Sequence, residues 1–150
     1  MTTTNESKVN LILDKPSNWI QWFFIIQNTA KTNKVWEYVD LAIKKDNILV
    51  LELPKWPIPK DVLSTATLIS KLDQHQLTAY NQLYTKYKDN LHIYQKKEQA
   101  INNISNYIIC MISVAYLPLI NGLDMVYKRL QVFKKALTPI TLGQKHDILN

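Results

Sequence analysis

The sequence predicts an all-α fold, and three features carry that expectation. Gly occurs only twice in 150 residues and four of the six prolines (Pro16, Pro54, Pro57, Pro59) come early, so neither breaker interrupts the chain from Lys60 to Leu117. Within that stretch Tyr80, Tyr87, Tyr94, Ile101 and Ile108 recur every seven residues, and Leu77, Tyr84 and Leu91 form a companion series three residues earlier. A sustained seven-residue period means a long helix with a seam that packs on another helix. Near the N-terminus Trp19, Trp22 or Phe23, Ile26 and Ala30 recur at helical spacing. The architecture expected is a multi-helix domain with one long central helix, a short extended N-terminal arm and a proline-rich loop.

Residues 1–7 read as a disordered tail, and Lys8 to Asp14 as an extended arm ahead of Pro16. A first helix starts near Ser17 or Asn18, either of which can cap it, and runs to about Thr32. Ile20, Phe24 and Ile25 widen its apolar arc beyond a stripe, which predicts cover on more than one side. Asn33 is the expected left-handed stop, after which Val35 to Asp40 forms a short helical turn that tucks Trp36 and Val39 inward. Beyond the polar break at Lys44 to Asn47, Ile48 to Pro59 passes from a brief extended run into the proline-rich loop, the best internal boundary.

The long helix spans about Asp73 to Ser113, with a bend expected near Asp89–Asn90. Asp73 and Gln76 have capping-box spacing at its start, where the acid accepts from free N–H groups and the amide reaches back. A last helix is expected from about Gly122 to Leu137, with Leu123, Val126, Leu130, Phe133 and Leu137 on one face and Lys128, Arg129, Lys134 and Lys135 elsewhere. Thr138–Pro139 closes it. The chain thus reads as a tail (1–7), one helical domain (8–139) and a truncated connector (140–150).

Several functions are disfavoured by what the sequence can and cannot spell. Its two glycines cannot supply G-x-G-x-x-G, a Walker A loop or G-x-S-x-G, and His75, His92 and His146 are far apart with no H-E-x-x-H. The one close carboxylate pair, Glu37 with Asp40, lies on a short turn between aromatics. An enzyme is therefore not expected, nor are catalytic residues, a cofactor, a small-molecule substrate or a metal. The single cysteine, Cys110, excludes a disulfide within the chain and reads as a buried thiol. The uncharged stretch between Glu98 and Asp124 is long enough to raise a membrane span, but Asn102, Asn103, Ser105, Asn106 and Ser113 interrupt it, so no membrane partner is expected. With no secretory signal at "MTTTNESK", a cytoplasmic location fits best.

The net charge of +6 is uneven: residues 1–75 hold nine lysines against eight acids, whereas residues 76–150 hold nine Lys/Arg against four acids. The second half is the one to suspect of meeting polyanions. Trp19, Trp22 and Trp36 are expected in the core, and Tyr80, Tyr84, Tyr87 and Tyr94 along the seam. The rival reading makes those tyrosines a stacking surface interleaved with Lys86, Lys88, Lys96 and Lys97.

The order of "LILDKPSNWIQWFFIIQNTAKTNKVWEYVDL", "LPKWPIPKDV", "LDQHQLTAYNQLYTKYKDNLHIYQKKEQAI" and "AYLPLI…LDMVYKRLQ" resembles the N-terminal Gag region of copia-type LTR retrotransposons, especially fungal ones. The sharpest element is N-W-x-x-W followed by V-W-x-Y-[VI]-D, here Asn18, Trp19, Trp22, Val35, Trp36, Tyr38, Val39 and Asp40. The resemblance implies a capsid-like all-helical domain, with the motif residues Asn18, Trp19, Trp22, Val35, Trp36 and Tyr38 as structural core. It implies self-association as a homo-oligomer or lattice in cytoplasmic virus-like particles, with packaging of the element's RNA. No C-x2-C-x4-H-x4-C zinc knuckle or D-[ST]-G protease motif is present, so only weak RNA binding is expected.

The leading expectation is thus a structural Gag-like capsid protein. The runner-up is a basic helical nucleic-acid-binding module using Lys86, Lys88, Lys96, Lys97, Lys128, Arg129, Lys134 and Lys135. A third reading is a host-co-opted Gag fragment that interferes with particle assembly.

Overall fold

The computed structural model describes residues 11–138. The tail expected at 1–7, the first residues of the arm, Pro139 and the connector at 140–150 lie outside the described residues. The fold is all-α: helices α1 (Trp19–Thr32), α2 (Gln74–Cys110) and α3 (Val126–Leu137) are joined by short 3-10 turns. By backbone proximity the chain divides into two compact units. The first runs to Leu49 and resumes at Ala100; the second is Val50–Gln99. One edge of the second unit coincides with the start of the proline-rich stretch. Its other edge falls inside α2, where no breaker marks it.

In the first unit the extended arm docks by a single parallel bridge between Leu13 and Ile112. The Leu13 N–H donates to the Met111 carbonyl at 2.8 Å, and the Ser113 N–H donates to the Leu13 carbonyl at 2.9 Å. Trp22 adds a third element to this junction, its indole N–H donating to the same Met111 carbonyl at 2.9 Å. Arm, α1 and the end of α2 are therefore tied at one backbone oxygen.

A 3-10 turn at Pro16–Asn18 leads into α1, and Asn18 occupies the cap position without capping. Its amide instead donates back to the Asp14 carboxylate at 2.7 Å, fixing the arm against the helix start. The buried face of α1 is Trp19, Trp22, Ile26 and Ala30. The expected cover on more than one side is corrected: Ile20 and Phe24 are 69% and 63% exposed, so their apolarity marks surface, not core.

The left-handed stop is also moved by one residue. Asn33 has φ −92°, whereas Lys34 has φ +61°. The Val35 N–H bonds the Ala30 carbonyl and the Lys34 N–H bonds the Lys31 carbonyl, the paired bonds of a Schellman motif. Its hydrophobic contact is supplied by Ala30 and Val35, both fully buried. The turn then delivers the 3-10 segment Trp36–Tyr38, with Val39 buried and Trp36 partly so, as expected.

The capping box at Asp73 and Gln76 forms as the spacing predicts: the Gln76 N–H donates to Asp73 at 2.8 Å and the Asp73 N–H to Gln76 at 3.0 Å. Helical hydrogen bonding continues through Asp89–Asn90 and ends at Cys110, not Ser113. From Ala100 onward the α2 seam enters the core through Ala100, Ile104 and Ile108. Within Val50–Gln99, however, the seam meets no helix: the Tyr80 hydroxyl donates to the Pro57 carbonyl at 3.3 Å, and Trp56 packs on Tyr84 and Tyr87. The proline-rich loop takes the place expected for a helix. Cys110, expected buried, is exposed.

The last helix begins at Val126 and not at Gly122, because Gly122 has φ +83°, outside helical space, and Met125 is extended. Before it lies a 3-10 stretch, Val114–Ile120. The inward face of α3 is Val126, Tyr127, Leu130, Phe133 and Leu137, and Leu123 is only half-buried. Tyr127, absent from the expected face, is buried with its hydroxyl satisfied: it donates to the Ile43 carbonyl and accepts from the Gln131 amide. Phe133 meets Trp22 edge to face, with ring centroids 5.8 Å apart. No described helix is long and apolar enough to cross a membrane.

Candidate functional site

The six motif residues fall in one region of the first unit, but not in equal depth. Trp19, Trp22 and Val35 are buried, while Asn18, Trp36 and Tyr38 are half-buried. Trp19 stacks on Phe23 at 5.0 Å, Trp22 lies 6.3 Å from Tyr107, and Phe23 is 6.0 Å from Trp36. These rings pack on one another and on Phe133, which leaves Trp22 with no surface for a ligand. Burial pushes the Tyr107 phenol above its ordinary pKa. The motif is thus a packing constellation.

The eight basic residues proposed for nucleic acid are divided equally between the two units. Arg129 is committed to structure: its Nε donates to the Leu123 carbonyl at 2.6 Å and its Nη1 to the Ser105 hydroxyl at 3.0 Å. Lys128 is half-buried, and Lys134 and Lys135 are exposed in the last turn of α3, where they face the negative end of the helix dipole. In the second unit Lys86, Lys88 and Lys96 are exposed and Lys97 is half-buried. With 3.6 residues per turn, Lys86 and Lys97 share one flank of the seam, Lys88 takes the other flank, and Lys96 points away from it.

Around Lys86 and Lys88 the structure assembles a cluster that spacing alone could not locate. Trp56, from the proline-rich loop, sits edge to face with Tyr84 at 5.4 Å and with Tyr87 at 5.0 Å. The Lys88 ammonium lies 5.1 Å from the centre of the Tyr84 ring. Beside Tyr87 opens a shallow cavity of about 420 Å³ lined by Lys55, Lys86, Asn90, Pro54 and Pro57. Asp61 also borders it, with one carboxylate oxygen held by the Ile58 N–H at 2.8 Å. Two turns further along α2, Tyr94 donates to Glu98 at 2.8 Å, which raises its pKa. Trp56 was legible only as one more aromatic, since its partners lie about thirty residues away.

A second surface lies wholly in the first unit. Ile109, Val114, Leu117, Ile120 and Leu123 line an apolar groove of about 800 Å³, with Asp124 and Arg129 as its charged lining. Val114 is 79% exposed there. Among the described residues no group of three or more His, Cys, Asp or Glu side chains is placed to hold a metal. Set against protein-family models, curated proteins and solved structures, the chain finds no match in any of the three.

Proposed function

We propose that the chain is a structural, Gag-like domain that self-associates in cytoplasmic particles of the retrotransposon type, and that it does not act as an enzyme. The observation that carries this reading is the division of apolar residues in the first unit. Its motif aromatics are spent on the core, while Ile20 and Phe24 on α1, and Val114, Leu117 and Leu119 before α3, remain at the surface. Exposed large apolar residues, of which Val114 and Leu117 line the groove, are what a protein-binding face requires, and a lattice subunit needs several such faces, each weak alone. The sequence resemblance, which runs from about Val9 to Pro139, favours a second copy of this chain as the partner.

Sedimentation over a wide concentration range tests the reading. Association that grows toward millimolar protein is expected, with Phe24→Glu weakening it while leaving the thermal midpoint in place. A strictly monomeric species at the highest concentration would count decisively against self-assembly.

A further inference from the structure

We propose that Trp56, Tyr84 and Tyr87, flanked by Lys55, Lys86 and Lys88, form a binding site for single-stranded nucleic acid. The site stands on the second unit alone and does not depend on self-association. Its layout alternates cation and ring: Lys88 lies over Tyr84, Tyr84 contacts Trp56, Trp56 contacts Tyr87, and Tyr87 borders the cavity that Lys55 and Lys86 line. Unlike the tryptophans of the core, Trp56 is 55% exposed, so more than half of its surface is open to a ligand. An exposed indole between lysines meets the two needs of a nucleotide chain, a flat apolar surface for the base and positive charge for the phosphates.

Charge decides between this ligand and an apolar or acidic-residue-seeking peptide. The second unit holds seven lysines against five acids. Three of those acids are engaged within the fold: Asp61 with the Ile58 N–H, Asp73 in the capping box and Glu98 with Tyr94. Asp89 falls on the side of α2 away from the seam. In the lining of the cavity Lys55 and Lys86 outnumber the one carboxylate, Asp61, two to one, which leaves that lining net positive. The shallow, open form of the cavity suits an unpaired strand, whose bases are free to leave their stack, better than a duplex.

The test is binding of the full chain to a fluorescent ~12-nucleotide oligouridylate, measured by anisotropy across a salt series. Three lysines at the site predict a log–log salt slope of about −2, and Lys86→Gln should flatten it by about 0.7. Trp56→Ala should weaken binding by roughly 5- to 100-fold, the range expected for losing one stacked base. Trp56→Phe should retain most of the affinity and Trp56→Leu should not. Comparing those two variants separates stacking from packing even if Trp56→Ala lowers the thermal midpoint. Equal affinity of the Phe and Leu variants, absence of salt-dependent binding, or tighter binding to a duplex or to phosphatidylserine vesicles would each overturn the proposal.

Discussion

Two aromatic clusters of similar composition meet opposite fates in this chain. Trp19, Trp22 and Phe133 belong to a core of sixteen buried residues, all in the first unit, and Phe23, Trp36 and Tyr107 pack against it partly buried. Trp56, Tyr84 and Tyr87 assemble as closely, with centroids 5.0 to 6.2 Å apart, yet none of them is buried. Among the described residues of Val50–Gln99 only Pro57, Ala66 and Tyr80 are buried. The difference lies in what opposes each helix face. α1 is faced by α3 and the end of α2, which exclude water from both sides of a ring. Tyr84 and Tyr87 of α2 are faced by a proline-rich loop, which is too thin to do so. Aromatic content alone therefore does not mark a core; the number of elements around the ring does.

The largest expected effect comes from removing one ring from each cluster. Trp22→Ala deletes a fully buried side chain and its bond to the Met111 carbonyl, and should cost ~3–5 kcal/mol, enough to unfold a marginal domain. Trp56→Ala removes a ring already more than half in water and should cost less than ~1 kcal/mol. Thermal unfolding of the two variants checks this. Equal losses would mean that the two clusters are energetically alike, whatever their exposure.

How much of this contrast was legible in the sequence follows from the range of each interaction. The face Trp19, Trp22, Ile26 and Ala30, the capping box and most of the α3 face depend on neighbours three or four residues away, and the spacing displays them. The union of Trp56 with Tyr84 and Tyr87 depends on where a loop returns, and no local period encodes that. Ile20 and Phe24 misled for a related reason: apolar letters on a helix say that water is unfavourable there, not whether this chain or another one covers them. Arg129 reads as one cation among four on its helix, and only the Ser105 and Leu123 contacts reveal it as a structural tie.

A smaller effect sharpens the comparison inside a single helix. α2 belongs to the thin unit up to Gln99 and to the core from Ala100. Backbone amides of a helix exchange with solvent when the segment opens, and opening is easier where few apolar contacts are lost. Amides from Lys86 to Tyr94 should exchange at least about ten-fold faster than those from Ile104 to Ile108, a difference of ~1.4 kcal/mol in opening free energy. Hydrogen exchange followed residue by residue measures it. Uniform protection along α2 would show that the helix opens as one body and that the two regions are not separately stable.

The smallest effect isolates the turn that feeds the buried cluster. Lys34 is the one described non-glycine residue with positive φ, at +61°, and it holds that conformation because the Schellman bonds of Lys34 and Val35 require it. A side chain with Cβ is strained there by ~1–2 kcal/mol relative to ordinary helical space, whereas Gly is not. Lys34→Gly gains that relief but also raises the conformational entropy of the unfolded chain, so a net stabilisation of only ~0.5–1 kcal/mol is expected. Because the Lys34 side chain is exposed, the change should leave the packing of Val35 and Trp36 intact, and near-ultraviolet circular dichroism of the tryptophans should not alter. A destabilised Lys34→Gly variant would instead place the value of this residue in its side chain, and the strained backbone at the end of α1 would cease to explain how the cluster is closed.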